Sequence, residues 1–310
     1  MTVFRRRSRA SASQAASLLV GSLVALVLAA AAGCGPTEPE PPAVPGAPER
    51  LVTLAPNLTE IVFALGLGPR VVGVGSYGHW PPEVDTKPRL GGLTDPNLEQ
   101  MVALHPELAI LLPSEDDVAR SLGRLGIEVL TVPAETLSDV EASMRSIADR
   151  CGVPEAGEDL ARRWRDELAP RPVASGALVL VTLSRPAGRP AEMLVAGPGT
   201  FLDELLTRLG AVNVFADATL RYPTVGLEEV LRRDPDVIVE LHVEPLDAAA
   251  ARARADDWDV ARGLTAVRSG RIAEIAGDYT LIPGPRLPRL YDELAGALDG
   301  GAGGAPEETR

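Results

Sequence analysis

The sequence predicts an α/β protein of two Rossmann-like lobes, each built on a central, mainly parallel sheet, joined by a long rigid helical connector. Three observations carry this. Residues 97–110 and 226–239 read as one unit used twice: Leu98-Glu99 or Leu227-Glu228 opens a short helix, and Pro106 or Pro235 stops it seven residues after the Glu. An acid follows, and then an aliphatic strand begins. Short aliphatic runs alternate with helical patterns on both sides of the chain's middle. Between them, residues 136–172 carry helical periodicity and no strand pattern.

In the first lobe, residues 50–135, Arg50–Leu54 reads as a strand, and Asn57 with Glu60 three residues on approximates a capping box. Val71–Val74 is a strand followed by a long loop, Gly75–Pro82. Leu98, Met101 and Val102, like Leu227, Val230 and Leu231, recur at the spacing of one helix face, so both repeated helices are expected to bury a stripe. Strands at Leu108–Leu112 and Glu128–Val132 flank a helix near Val118–Leu125. Ser138 and Glu141 form a capping box for a connector helix reaching Arg150, and a second helical stretch runs over Glu155–Leu168. The second lobe, residues 173–299, takes strands at Ala177–Leu183, Met193–Val195 and Arg271–Ile275. Helices are expected over Phe201–Leu209 and Arg286–Leu298, and residues 300–310 form a polar, Gly-rich tail.

The chain's ends carry addresses rather than fold. Arg5, Arg6, Arg7 and Arg9 precede an apolar run ending in Ala31-Ala32-Gly33-Cys34, a signal-peptide pattern over residues 1–33 that is too short and Ala-rich for a membrane span. Cys34 after small residues resembles a bacterial lipobox, although Ala31 stands where Leu is usual; this implies cleavage before Cys34 and its acylation. Residues 34–49 are Pro-rich and read as a tether. Cys151 is then the sole remaining thiol, so no intrachain disulfide is expected. Losing four arginines and no acids takes the formal charge from −13 to about −17, which argues against nucleic acid as a partner.

Motifs for catalysis are missing. Gly73–Gly78 matches G-x-G-x-x-G after a strand, but His79-Trp80-Pro81-Pro82 follows where the dinucleotide motif needs a helix to start. Neither G-x-x-x-x-G-K-[ST] nor H-E-x-x-H occurs, and no nucleophile sits in a G-x-S-x-G frame, so the protein is expected not to be an enzyme. Gly197–Thr200 suits a tight turn with a Thr200/Asp203 cap, or an anion site. His79, His105 and His242 are too scattered for a zinc receptor, though His79 or His242 is placed to reach a metal carried by a ligand. Aromatic residues are only 4% of the chain, yet Tyr77, Trp80, Tyr222 and Tyr279 all fall in loops at strand ends, a distribution that suits a cleft for a large planar ligand. Trp164 and Trp258 are assigned to packing.

Arg50–Gly68 (RLVTLAPNLTEIVFALGLG), Val71–Pro82 (VVGVGSYGHWPP), residues 97–112, Tyr222–Leu241 and Pro283–Leu287 (PGPRL) together resemble the helical-backbone class of periplasmic substrate-binding proteins of ABC importers. The resemblance covers most of residues 50–295. It implies a shallow inter-lobe cleft for cobalamin, a ferric siderophore or haem, and a permease dimer with its ATPase subunits as partner. Glu99 and Glu228 match the glutamates that dock onto permease arginines. The likeness is greatest to the cobalamin-binding members, through Ser76–Pro82, Tyr222-Pro223 and Asp278-Tyr279, which implies ligand contacts by Tyr77, Trp80, Tyr222, Asp278 and Tyr279. Leu93 and Leu112 stand where those members place tryptophans. For an iron chelate, Arg286 and Arg221 are the nearby cations. The family further implies a monomer with no resident cofactor or metal, held to a membrane at Cys34 on the periplasmic side of the envelope; an envelope sensor domain is the reading from another class.

Overall fold

A computed structural model describes residues 46–300. The signal segment, Cys34, most of the tether and residues 301–310 lie outside them. The first lobe is β1 (Leu51–Thr53), α1 (Pro56–Ala64), β2 (Val71–Val74), α2 (Leu98–Ala103), β3 (Leu108–Leu111), α3 (Asp116–Arg124) and β4 (Glu128–Thr131). Its four strands are all parallel in the order β2-β1-β3-β4. Every residue of β1 and β3 is buried, as strands covered on both faces require.

The connector is two helices of 14 residues, α4 (Leu137–Arg150) and α5 (Pro154–Glu167), each about 21 Å long. Thr136, not Ser138, caps α4: its Oγ1 accepts from the Asp139 amide, and Asp139 accepts in return from the Thr136 amide at 3.0 Å. The two helices approach closely because Gly157 has no side chain; a Cβ there would stand 2.3 Å from that of Ala148. Glu141 takes Arg145 at 2.8 Å and Arg165 at 2.5 Å, tying the helices along their outer side.

The second lobe contains β5 (Leu178–Ser184), β6 (Met193–Val195), α6 (Phe201–Arg208), β7 (Val212–Asn213), β8 (Thr224–Val225), α7 (Leu227–Arg233), β9 (Val237–His242), α8 (Ala248–Asp256), α9 (Thr265–Arg268), β10 (Ile272–Ala276) and α10 (Leu287–Leu298). The sheet order is β10-β9-β5-β6-β8, with β7 beside the start of β5. Strands β5, β7, β9 and β10 are parallel, while β6 is antiparallel to both neighbours. Strands β7 and β8 escape the sequence because two residues show no alternation, and α8 because its alanines bury nothing. Among the described residues no helix is long and apolar enough to cross a membrane.

Three expectations change. The first helix starts at Pro56, with Ala55 before it and no side-chain cap, so Asn57 and Glu60 form no capping box. Glu60 instead meets Arg286 from the second lobe at 2.5 and 3.1 Å. Leu231 is 43% exposed rather than part of a buried stripe, because Val230 takes the core-facing position. Gly46–Glu49 also lie on the first lobe: Pro48 is buried, and the Glu49 amide donates to Glu107.

One apolar cluster runs unbroken from Leu51 and Leu58 through Met144 and Trp164 to Val179, Leu205 and Leu290, so lobes and connector share a core. Hydrogen bonds across the junction reinforce it: Phe201 N donates to Glu135 O at 2.8 Å and Leu137 N to the Glu204 carboxylate at 2.7 Å. Trp164 Nε1 donates to Gly284 O at 3.0 Å. After β3, Glu115 is 2% exposed; its Oε2 accepts from the Leu112 amide at 2.6 Å, while Oε1 has no partner among the described residues. Burial pushes this carboxyl up to about 7, against the opposing pull of the Leu112 amide.

Two stability outcomes are expected. Gly157→Val should cost about 1–3 kcal/mol by overpacking the α4/α5 contact, and adding Ala148→Gly should recover part of it; equal thermal midpoints for wild type and single variant would contradict the close approach. For Glu115, a folded-state value raised above 4.5 means its favourable contribution is full below that pH and fades as pH rises through about 7. Glu115→Gln keeps the acceptor for Leu112, so at pH 8 it should be more stable than wild type by about 1–3 kcal/mol, the gain disappearing near pH 4.5. Thermal melts at the two pH values measure it.

Candidate functional site

Parallel strands leave their binding crevice outside the carboxyl ends, where successive loops turn away from the sheet. Here the segments that follow β1 (Ala55–Asn57), β3 (Leu112–Ser114), β4 (Pro133–Glu135) and β10 (Leu281–Pro283) converge with Tyr222 and Phe201 on a cleft of about 610 Å³ between the lobes. The volume is that of a small-molecule site. Leu93 and Leu112 both line it, so the positions where tryptophans were missing do face the cleft.

Its charges are few. Glu135, Asp139 and Arg221 contribute to the wall, two carboxylates to one guanidinium, and Arg221 lies 4.0 Å from Glu135. Asp139 is already engaged in the α4 capping box. Arg286, the other cation expected nearby, is committed to Glu60 and, at 2.6 Å, to Asp278. Burial, before the Glu135 charge, pushes the Tyr222 phenol up to about 12, so it enters the cleft as a neutral hydroxyl.

The predicted contact residues divide into three groups. Tyr222 lines the cleft. Tyr77 and Trp80 stand outside its wall, 64% and 46% exposed, in the loop between β2 and the short 3₁₀ turn Pro82–Thr86; no helix begins in this loop. The Trp80 ring faces the Arg286 guanidinium at 5.2 Å, which puts a first-lobe aromatic on a second-lobe cation. Asp278 is half exposed and paired with Arg286.

Tyr279 is the correction: it is 2% exposed, its hydroxyl donates to Glu293 at 2.7 Å, and its ring faces Arg289 at 4.1 Å. It packs behind the cleft loop, whose inner surface is Leu281, Ile282 and Pro283 instead. The Glu293 carboxylate and the Arg289 guanidinium of α10 hold the ring on that inner side.

Glu99 and Glu228 are both exposed, and neither has an ion-pair or hydrogen-bond partner among the described residues. Each lies in the first turn of a helix, α2 or α7, that runs back into a parallel strand, β3 or β9. The helix starts therefore lie at the strands' carboxyl edges, the edges that carry the cleft. Asn97 caps α2 through Gln100 N at 2.9 Å, whereas α7 starts from Gly226 without a side-chain cap.

Other candidates resolve into structure. Thr200 caps α6 at Asp203, and the Gly199 amide is taken by Asp203 at 3.2 Å, so this turn holds itself rather than an anion. His79 pairs with Asp85 at 2.8 Å, and His242 with Glu274 at 2.5 Å on the sheet's α8 side. Trp164 and Trp258 are buried in the core, and Cys151 is a buried free thiol. Asn57, part of the cleft floor, was missed as a site residue because a helix-start Asn reads as a cap; its Nδ2 is buried without a partner among the described residues.

Comparison with known proteins agrees with this geometry. The chain is 30% identical over 206 residues to the vitamin B12-binding protein of Pectobacterium atrosepticum, covering 62% of this chain and 71% of that one. It is 28% identical over 264 residues to the uncharacterized ABC transporter substrate-binding lipoprotein YvrC of Bacillus subtilis, 81% of this chain and 80% of that one. Among solved structures, the periplasmic vitamin B12-binding protein BtuF of Vibrio cholerae superposes with a TM-score of 0.68 at 26% identity, covering 81% and 96% of the two chains. The periplasmic heme-binding protein RhuT of Roseiflexus does so with 0.66 at 25%, covering 81% and 98%. The profile of the family described as "Periplasmic binding protein" matches residues 51–279. With the two lobes, the shared core and the cleft at the strand ends already in place, that match means the chain belongs to the periplasmic binding protein family.

Proposed function

We propose that this protein is the lipid-anchored receptor of an ABC importer, taking a cobalamin-like corrinoid into the inter-lobe cleft and delivering it to a permease dimer served by ATPase subunits. The observation that carries the ligand is the cleft's charge. Two carboxylates face one guanidinium in the wall, and Arg286 is already committed to Glu60 and Asp278. Ligands with anionic groups, such as haem propionates or an anionic ferric siderophore, meet net repulsion, whereas a corrin bordered by neutral amides does not. A phenol raised to about 12 at Tyr222 is also a poor source of the phenolate that iron would need. The relatives named for vitamin B12 favour the same ligand.

In this reading Tyr222 contacts the ligand inside the cleft, and Tyr77 and Trp80 close over the part that projects beyond it. Asp278 accepts from an amide or hydroxyl at the rim. Glu99 and Glu228, one per lobe and free of internal partners, straddle the two-fold permease and set register and encounter rate. Acylation at Cys34 holds the receptor at the membrane on the periplasmic side, in keeping with the lipoprotein relative.

Titrating the signal-free protein with cyanocobalamin should quench tryptophan fluorescence saturably at micromolar concentration or below, and Tyr222→Ala should weaken binding at least tenfold. A Soret shift with haemin and no response to cobalamin would replace the corrinoid with haem. For docking, Glu99→Ala with Glu228→Ala should leave ligand affinity unchanged and abolish uptake; normal uptake by the double variant removes the docking role.

A further inference from the structure

Strands β9 and β10 are paired in parallel register with Glu240 directly beside Glu274. Side chains two apart share a face, so His242 joins both carboxylates on the α8 side of the sheet. One ligand atom from each of the three lies within 4.8 Å of the others. His242 Nε2 is 2.5 Å from Glu274 Oε2 and 3.9 Å from Glu240 Oε2. Glu274 Oε1 is buried with no partner among the described residues, on a side chain 9% exposed.

We propose that Glu240, His242 and Glu274 form a binding site for one divalent first-row cation, zinc foremost, separate from the ligand cleft. One imidazole and two carboxylates are a donor set for such an ion, with a fourth position left to water.

The surroundings supply what such a site needs. Glu240 is held at Oε1 by Arg185 at 2.6 Å and by Trp258 Nε1 at 2.7 Å, which orients its other oxygen toward His242. The surrounding group counts three carboxylates, Glu240, Glu274 and Asp257, against two guanidinium groups, Arg185 and Arg254. Carboxylates outnumber guanidinium groups by one around the nearly inaccessible Glu240, and a cation would balance them. Arg254, 3.2 Å from Glu240 Oε2, is the group an ion would displace. It sits on α8, none of whose residues is buried, so that helix can give way. The His242 carbonyl accepts from Gly277 N at 2.8 Å and Thr280 Oγ1 at 2.9 Å, so the ion would clamp the two strands at the root of the 277–283 loop.

Calorimetric titration of the signal-free, untagged protein with zinc chloride tests this. One ion should bind at micromolar or lower Kd, and cobalt(II) should give the visible bands of a low-coordinate site. His242→Ala and the isosteric Glu274→Gln should each weaken binding at least tenfold, Arg254→Ala should preserve or tighten it, and His79→Ala should change nothing. Absence of saturable binding overturns the site. Binding that survives Glu274→Gln but is lost in His79→Ala overturns it in favour of the surface His79–Asp85 pair.

Discussion

One of the hydrophobic clusters is common to both lobes, and the cleft's shape depends on that. Val179, Leu205 and Leu290 of the second lobe belong to the same apolar cluster as Leu51 and Leu58 of the first, with the α4/α5 pair in between. Fixed apolar packing resists shear, because sliding one lobe would open voids. Arg286 adds direction to this adhesion. Its guanidinium bridges Glu60 and Asp278 beneath the Trp80 ring, joining four side chains from both lobes at the cleft's edge. Burial holds the Glu60 carboxyl above its ordinary range in spite of Arg286, so the pair specifies alignment more than it stabilises.

The architecture also decides what the cleft can offer a ligand. Loops from four parallel strand ends, with Leu93 and Phe201 beside them, give the cleft a mostly apolar wall that includes Leu112 and Ile282. Such a wall gains by burying apolar area, about 25 cal/mol per Å², and discriminates by charge. The rings of Tyr77 and Trp80 stand exposed in the loop after β2, outside the cavity proper.

Much of the fold was legible in the sequence, and the reasons differ by element. The repeated helix-strand unit could be read because its Pro and Glu occupy fixed offsets, and the buried strands because their aliphatic runs are continuous. Caps were less legible: Thr136 and Ser138 are two residues apart, and only the reciprocal Asp139 bond selects the first. The site was legible as loops but not as side chains. Tyr222 and Tyr279 look alike in sequence, yet one lines the cleft and the other donates to Glu293 behind it. The bridge from Glu60 to Arg286 spans 226 positions and leaves no local trace.

The shared cluster has a consequence for how such a chain can be divided. The two halves resemble each other in plan, and the connector invites a cut, but neither half owns the surface at which they meet. Separating them at Cys151–Val153 would strip Ile147 and Ala148 of one side from Ala161 and Trp164 of the other, leaving each fragment with a raw apolar face. The likeness of the halves is thus one of design only; as a physical object the protein is indivisible.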